Sequence, residues 1–174
     1  LTVIPDTSTA EDIQLTIALF AEDGDEDDLI FHAESEFPDY VSVTVSGDSL
    51  TMIPSTHFNG DVHISVTVDD GNGGSDNEVF TLVVTPVNDS PIAEDDSAVL
   101  SEDGSVSGNV LDNDSDPDGS TGLNNPEEHY SLTVNLVDNV SNGVLLLDND
   151  GLYTYTPSPD WNGLDSFIYE LTDA

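Results

Sequence analysis

The chain contains no lysine and no arginine, against 37 aspartates and glutamates, so its formal net charge is −37. Four histidines are its only possible side-chain cations. Nucleic acid and insertion into anionic membrane are poor fits, since both rely on Lys or Arg to reach phosphates. Cysteine is absent as well. A secreted chain without disulfides must be stapled by other means, and bound metal is the usual substitute. No run approaches the ~20 apolar residues of a membrane span. No signal peptide opens the sequence, which reads as a mature or excised segment. Aromatic residues are 7% of the chain and stand mostly at alternating positions, with no row suited to stacking sugars. A helical period is nowhere evident.

The uncompensated charge is itself informative. Carboxylates clustered at ~4 Å repel by roughly 1 kcal/mol per pair in water, and by more when partly buried. Something outside the sequence must offset this, locally by divalent cations or globally by salt. The 36% of hydrophobic residues is low but enough for small cores, and it alternates, which disordered acidic chains rarely show.

The sequence repeats. Glu11-Asp12 recurs 91 positions on as Glu102-Asp103, and Asp23, Asp25 and Asp27 recur as Asp114, Asp116 and Asp118. Farther along, Pro54 and Phe58-Asn59-Gly60 recur 103 positions on as Pro157 and Trp161-Asn162-Gly163, and Asp70 as Asp173. The growth in offset places an insertion at about Ser120 to Tyr130, whose polar, Gly/Asn/Pro-rich composition reads as a loop. Pro86-Val87-Asn88-Asp89-Ser90-Pro91 makes a short, stiff connector. Repeat one is therefore expected over 1–91 and repeat two over 92–174.

Strands follow from period-two alternation. In repeat one it runs through Ile13 to Leu19, Val41 to Val45, Val62 to Val68 and Phe80 to Val84. In repeat two it runs through Leu132 to Leu136, Tyr153 to Tyr155 and Phe167 to Leu171. Ser46-Gly47-Asp48-Ser49 and Asp148-Asn149-Asp150-Gly151 read as hairpin turns. Short strands with frequent turns predict an all-β chain of two antiparallel β-sandwiches. No counterpart of the strand Val79 to Val84 follows Asp173, so the second sandwich is expected to lack its last strand.

Carboxylates on alternate residues, as in Asp114-x-Asp116-x-Asp118-Gly119 and Asp23-x-Asp25-x-Asp27, let several oxygens converge on one hard cation. Ca²⁺ takes six to eight oxygens at ~2.3–2.6 Å. The spacing matches the first half of an EF-hand loop, but the twelfth position from Asp114 is Asn125 rather than Glu, and no helices flank it. Calcium is retained and the EF-hand rejected. Solvated acidic turns, common in salt-adapted proteins, are the bland alternative.

These motifs resemble the cadherin-like repeats of large bacterial surface adhesins, often type I-secreted giant proteins. The matching residues in repeat one are Ala10-Glu11-Asp12, Asp23-Gly24-Asp25, Phe58-Asn59-Gly60, Asp69-Asp70-Gly71 and the linker Val87 to Pro91. In repeat two they are Glu102-Asp103, Asn113 to Gly119, Tyr155-Thr156-Pro157, Trp161-Asn162-Gly163 and Thr172-Asp173. The resemblance implies Greek-key, cadherin/immunoglobulin-like sandwiches and a calcium site where consecutive repeats join. Carried over by position, Glu11 is the acidic residue at the base of the upper domain, and Asn88 and Asp89 are the linker pair. Asp116 and Asp118 are the paired aspartates of the lower domain, and Asp173 follows its penultimate strand. Asp114, and Asp23, Asp25 and Asp70 of repeat one, complete the candidate ligands. Two departures reduce the expected ion count to one or two. Ser55-Thr56-His57 holds the place of the Asp-Arg-Glu motif of animal cadherins, and the linker is shorter, with Pro86 where an aspartate would stand.

The implied role is a calcium-rigidified spacer or adhesive segment at a bacterial cell surface, in a marine or salt-tolerant organism. Its partners would be calcium, neighbouring repeats of the same chain, and homophilic or polysaccharide contacts. The competing reading is a carbohydrate-binding accessory module of a secreted polysaccharide-degrading enzyme. Catalysis by the chain itself is not expected: there is no cysteine, no lysine and no nucleophile elbow, and paired carboxylates need a cleft. Phe58 and Trp161 read as core-edge anchors rather than sugar platforms. His57 and His63 read as scattered surface histidines, and the Asn-x-Ser sequons as chance matches.

Overall fold

The computed structural model describes residues 1–25, 27–119 and 132–173. They form two compact units, residues 1–88 and a second unit starting at Asp89. The described residues are all β apart from one 3-10 turn at Pro117–Gly119. Among the described residues no helix is long and apolar enough to cross a membrane. The loop expected at Ser120 to Tyr130 lies outside the described residues.

Unit 1 is a seven-stranded sandwich: β1 (Thr7–Ala10), β2 (Leu15–Ala18), β3 (Ile30–Ser35), β4 (Val41–Ser46), β5 (Ser49–Pro54), β6 (Gly60–Asp69) and β7 (Ser75–Thr85). One sheet runs β1–β7–β6–β3 and the other β2–β5–β4. Alternation decides which side chains meet between them. Val62, Ile64, Val66 and Val68 of β6, Phe80, Leu82 and Val84 of β7, and Leu50 and Met52 of β5 all point inward and are buried. Phe58 is buried against this core and stacks on Tyr40 with ring centroids 5.0 Å apart. Gly47, at a φ of 62°, turns β4 into β5 where an L-residue would be strained. The alternating run begins one turn later than its sequence indicates, because Ile13 is exposed in the β1–β2 turn and the buried member is Leu19.

Unit 2 repeats most of this. Its strands are β8 (Val106–Asn109), β9 (Thr133–Asp138), β10 (Gly143–Leu147), β11 (Leu152–Pro157) and β12 (Ile168–Thr172). They pair as β10–β11–β8 and β12–β9. β8 stands 91 residues after β2, while β9 and β11 stand 103 after β3 and β5. The twelve-residue growth in offset is therefore complete before β9 begins. Even the side-chain ladder repeats. Thr16 and Thr51 share a 2.9 Å hydroxyl bond across β2–β5, and Ser107 and Thr154 share one of 2.8 Å across β8–β11.

Among the described residues of unit 2, no strand takes the place of β7. In unit 1, β7 pairs along the whole of β6 and also carries β1 on its other side. Among the described residues of unit 2, β12 pairs with β9 alone and spans five residues against the ten of β6. Ala98 to Ser101, the positions of β1, form no strand. Leu136, expected inside, is exposed on β9.

Candidate metal site

The Glu-Asp pair of each repeat folds the same way. Asp12 and Asp103 have φ of 58° and 60°, and the residues facing them, His57 and Asp160, have 55° and 58°. In each repeat the aspartate Oδ1 accepts the backbone N–H of the facing residue, at 3.1 Å from His57 and 3.1 Å from Asp160. Asp and Asn tolerate the left-handed conformation because a short polar side chain bonds locally. The aspartate of the motif thus ties the turn before the second strand to the loop carrying Phe58 or Trp161.

Glu11 is left to do something else. Its backbone N–H donates to Thr85 O at 2.9 Å, extending the β1–β7 ladder, and this draws the residue to 2% exposure. Its Oε1 accepts the N–H of Val87. Within unit 1, Glu11, Asp12 and His57 offer ligand atoms within 4.8 Å of one another. Asp12 and His57 were not among the residues expected from sequence. The signal for Asp12 was there in its recurrence as Asp103. His57 carried none, since repeat two has Asp160 at its place. Asn88, of the expected linker pair, is exposed at the end of unit 1.

In unit 2, Asp118 is a carboxylate with 3% exposure at the 3-10 turn. Its Oδ2 accepts the N–H of Asp89 at 2.7 Å, and its own N–H donates to Asp116 Oδ1 at 3.0 Å. Asp118 Oδ1 and Asp116 Oδ2 are buried with no hydrogen-bond partner among the described residues. Burial pushes the Asp118 carboxyl above its ordinary pKa, and the like charges of Asp116, Asp89 and Asp173 push it further, against the Asp89 N–H. Three of the expected residues, Asp89, Asp116 and Asp173, are therefore close enough to Asp118, a fourth, to repel its charge. No lysine or arginine exists to answer them.

The corresponding acids of unit 1 are quieter. Asp23 Oδ1 accepts the N–H of Asp25 at 2.8 Å and of Asp27 at 3.3 Å. Asp70 Oδ1 accepts the N–H of Asn72 at 2.7 Å and of Gly74 at 2.9 Å, which hold its carboxyl below the ordinary value. The side-chain amide of Asn72 donates to Asp27 Oδ2 at 2.9 Å. Asp23 and Asp70 are thus largely satisfied by their own turns, and Asp25 is exposed.

The bacterial Ig domain family matches residues 2–83 and 88–174. The chain belongs to this family. Such domains are typically non-catalytic accessory modules. No curated protein matches the chain. Solved structures with a similar fold include the protocadherin gamma-B4 extracellular domain, 15% identical, with a TM-score of 0.54 over 99% of this chain and 31% of that one. Human protocadherin-24 EC1-2 is 18% identical, with a TM-score of 0.53 over 98% of this chain and 80% of that one. An endo-fucoidan hydrolase of glycoside hydrolase family 107 aligns at 16% identity and a TM-score of 0.40, and this chain spans 98% of itself and a quarter (25%) of the hydrolase.

Within the second bacterial Ig repeat, Asp114 parts from its neighbours. Its Oδ1 accepts the Glu94 N–H at 2.8 Å, and its carboxylate lies 3.2 Å from the Tyr169 hydroxyl. The same hydroxyl lies 3.1 Å from Asp96 Oδ2. Burial and the charges of Asp114 and Asp96 raise the phenol pKa, so Tyr169 keeps its proton and donates it into this acidic cluster. The alternating Asp-x-Asp-x-Asp therefore splits in the fold: its last two members converge on one place and its first faces another.

Proposed function

We propose that these bacterial Ig repeats bind calcium, and that they serve as a calcium-stiffened spacer in a secreted or surface-attached bacterial adhesin. The carrying observation is Asp118, a buried carboxylate with an unpartnered oxygen beside three like charges, in a chain without Lys or Arg. Buried polar atoms in native proteins are almost always paired, and an ion is one of the standard explanations when they are not. The donor set is all oxygen, which suits a hard cation and disfavours zinc or copper. Asp116, Asp118, Asp89 and Asp173 would hold the ion, with water filling the remaining positions. Bound calcium would supply the charge that the sequence omits.

An extracellular location and a salt-tolerant source agree with the acidic, cysteine-free composition, and they belong to the same proposal. Membership of a large adhesin, with homophilic or polysaccharide contacts, rests on the motif resemblance. The alternative, an accessory module of a polysaccharide-degrading enzyme, would place a sugar on exposed aromatic residues.

Calorimetric titration of the metal-stripped chain tests the proposal. Calcium should bind saturably, and the Asp116→Asn, Asp118→Asn double variant should lose that binding while its circular dichroism stays all-β. Equal calcium affinity in the double variant would remove the ion from this site. Small-angle scattering should show a narrower distribution of dimensions with calcium than with sodium at the same ionic strength. Identical profiles would reject the spacer role.

A further inference from the structure

Edge strands invite pairing with other chains, and natural sheets blunt them by shortness, charge, proline or a bulge. Most edges of this chain are blunted in that way. Among the described strands, β1, β2 and β8 are four residues long, β3 carries Glu34, and β9 and β12 carry Asp138 and Glu170. β10 has none of these devices. It is an edge of the sheet β10–β11–β8 and pairs with β11 in unbroken register. The nine residues from Asn139 to Leu147 hold no charge and no proline.

The outer face of β10 is also apolar, and the first repeat shows that the fold does not require this. Gly143 faces Pro157 as Val41 faces Pro54, so the two hairpins correspond pair by pair. Val144 and Leu146 hold the positions of Ser42 and Thr44, and Leu152 stands 103 residues after Ser49. β4, the matching edge, is uncharged too, but it turns Ser42, Thr44 and Ser46 to solvent. In unit 2 the three apolar residues are 63%, 66% and 52% exposed. Val144 and Leu146 alternate along β10. Leu146 faces Thr154, which sets Leu152 diagonally across from it.

This edge is complementary to itself. When two β10 strands pair antiparallel about Leu145, Val144 of one copy faces Leu146 of the other, and Gly143 faces Leu147. Asp148 then faces Asn142 and Asp150 faces Val140, so no carboxylate opposes a carboxylate. Sliding by two residues sets Asp148 opposite Val144 in one direction and Leu146 opposite Asn142 in the other. A cationic strand would find no carboxylate along β10 to answer it.

We infer that two copies of this chain associate through β10, forming one sheet in the order β8–β11–β10–β10–β11–β8. Main-chain groups that point away from β11 supply the ladder, and Val144, Leu146 and Leu152 of each copy join in one apolar stripe. Neither Asp116 nor Asp118 takes part, so the contact is independent of the calcium site. What opposes it is a net charge of −37 on each copy. Salt screens that repulsion: the Debye length falls from about 10 Å at 0.1 M to about 3 Å at 1 M. Association therefore strengthens with salt, the reverse of a contact held by ion pairs.

Sedimentation equilibrium of the whole chain, in calcium and again in chelator, tests this. The association constant should rise at least tenfold between about 0.1 and about 1 M sodium chloride. The double variant Val144→Ser, Leu146→Thr changes two exposed side chains to those of unit 1. It should keep the circular dichroism and melting temperature of the parent and lose at least tenfold in association. A monomer at high salt in both media, or equal association of the double variant, overturns the contact. The register has its own check, because the chain has no cysteine. Facing residues of antiparallel strands have Cα atoms about 4.5–5.5 Å apart, within disulfide range. On oxidation, a mixture of the single variants Val144→Cys and Leu146→Cys should cross-link at least tenfold faster than either alone. Equal rates would overturn the pairing about Leu145.

Discussion

Asp118→Asn exchanges a buried charge for an amide of the same shape, and its effect should change sign with the ion. In calcium-free buffer the variant should be more stable than the parent, by on the order of 1 kcal/mol for each like-charge contact relieved. In calcium it should be less stable, because the stabilisation that binding confers by mass action is lost. Paired thermal melts check this, and a loss in both buffers would mean that Asp118 is a structural hydrogen-bond acceptor only. The pH dependence follows from the same residue. Burial and the neighbouring carboxylates raise its folded pKa above the unfolded value. Without metal, protonation therefore favours folding: the contribution is full below the unfolded pKa and disappears as pH rises through the folded one. With calcium the proton competes with the ion. The gain in Tm from calcium should shrink as pH falls through the carboxylate range, and a gain independent of pH would argue against carboxylate ligands.

The Asp12 and Asp103 turns give a prediction free of metal at the same scale. Asp12→Val removes the acceptor for the His57 N–H and places a β-branched residue at positive φ. The lost bond is worth about 1 kcal/mol, and the left-handed backbone costs about 1–2 kcal/mol more. Asp12→Asn retains both features and should be nearly neutral. Urea titrations of the two variants separate these outcomes. Equal stability would show that the turn is held by other groups.

For the strands, what matters is which of them have neighbours. β6 lies between β3 and β7, and β12 has β9 alone among the described residues. Amide exchange should be slower at Ile64 to Val68 than at Phe167 to Leu171, since local opening tracks backbone exposure and missing apolar contacts. Equal protection in a monomer would mean that the five described strands of unit 2 form as cooperative a unit as the seven described strands of unit 1. Ile64→Ala, in the middle of the core, should cost about 2–5 kcal/mol. The strands were largely legible in advance because alternation is a local property: β4, β6 and the apolar half of β7 all lie where it places them. Ile13 misled because alternation does not say where a turn begins. Leu136 misled because an apolar side chain is buried only if something lies opposite it.

The whole molecule has to fold with 37 acidic residues and no basic ones. Screening by salt acts on every exposed carboxylate, whereas a bound ion acts only where oxygens converge. Sodium and calcium at matched ionic strength should therefore raise the melting temperature unequally, calcium more. Binding at a hundredfold excess over the dissociation constant is worth about 2.7 kcal/mol. Coincident melts at fixed ionic strength would leave screening as the sole compensation.

The sequence by itself determined that the chain is all β, that it is two copies of one pattern, and that its charge must be answered from outside. Those properties are carried by period, recurrence and composition, which need no third dimension. It also held the recurring Glu-Asp pair, though not what each member does. Only the tertiary structure decided that Asp12 staples a turn while Glu11 is buried, because the division of labour depends on which backbone N–H each carboxylate meets. Only the fold separated Asp114 from Asp116 and Asp118, since residues two apart point in directions that the turn between them sets. Only the fold showed that β7 is the neighbour of both β6 and β1, because the order of strands in a sheet is not their order in the sequence.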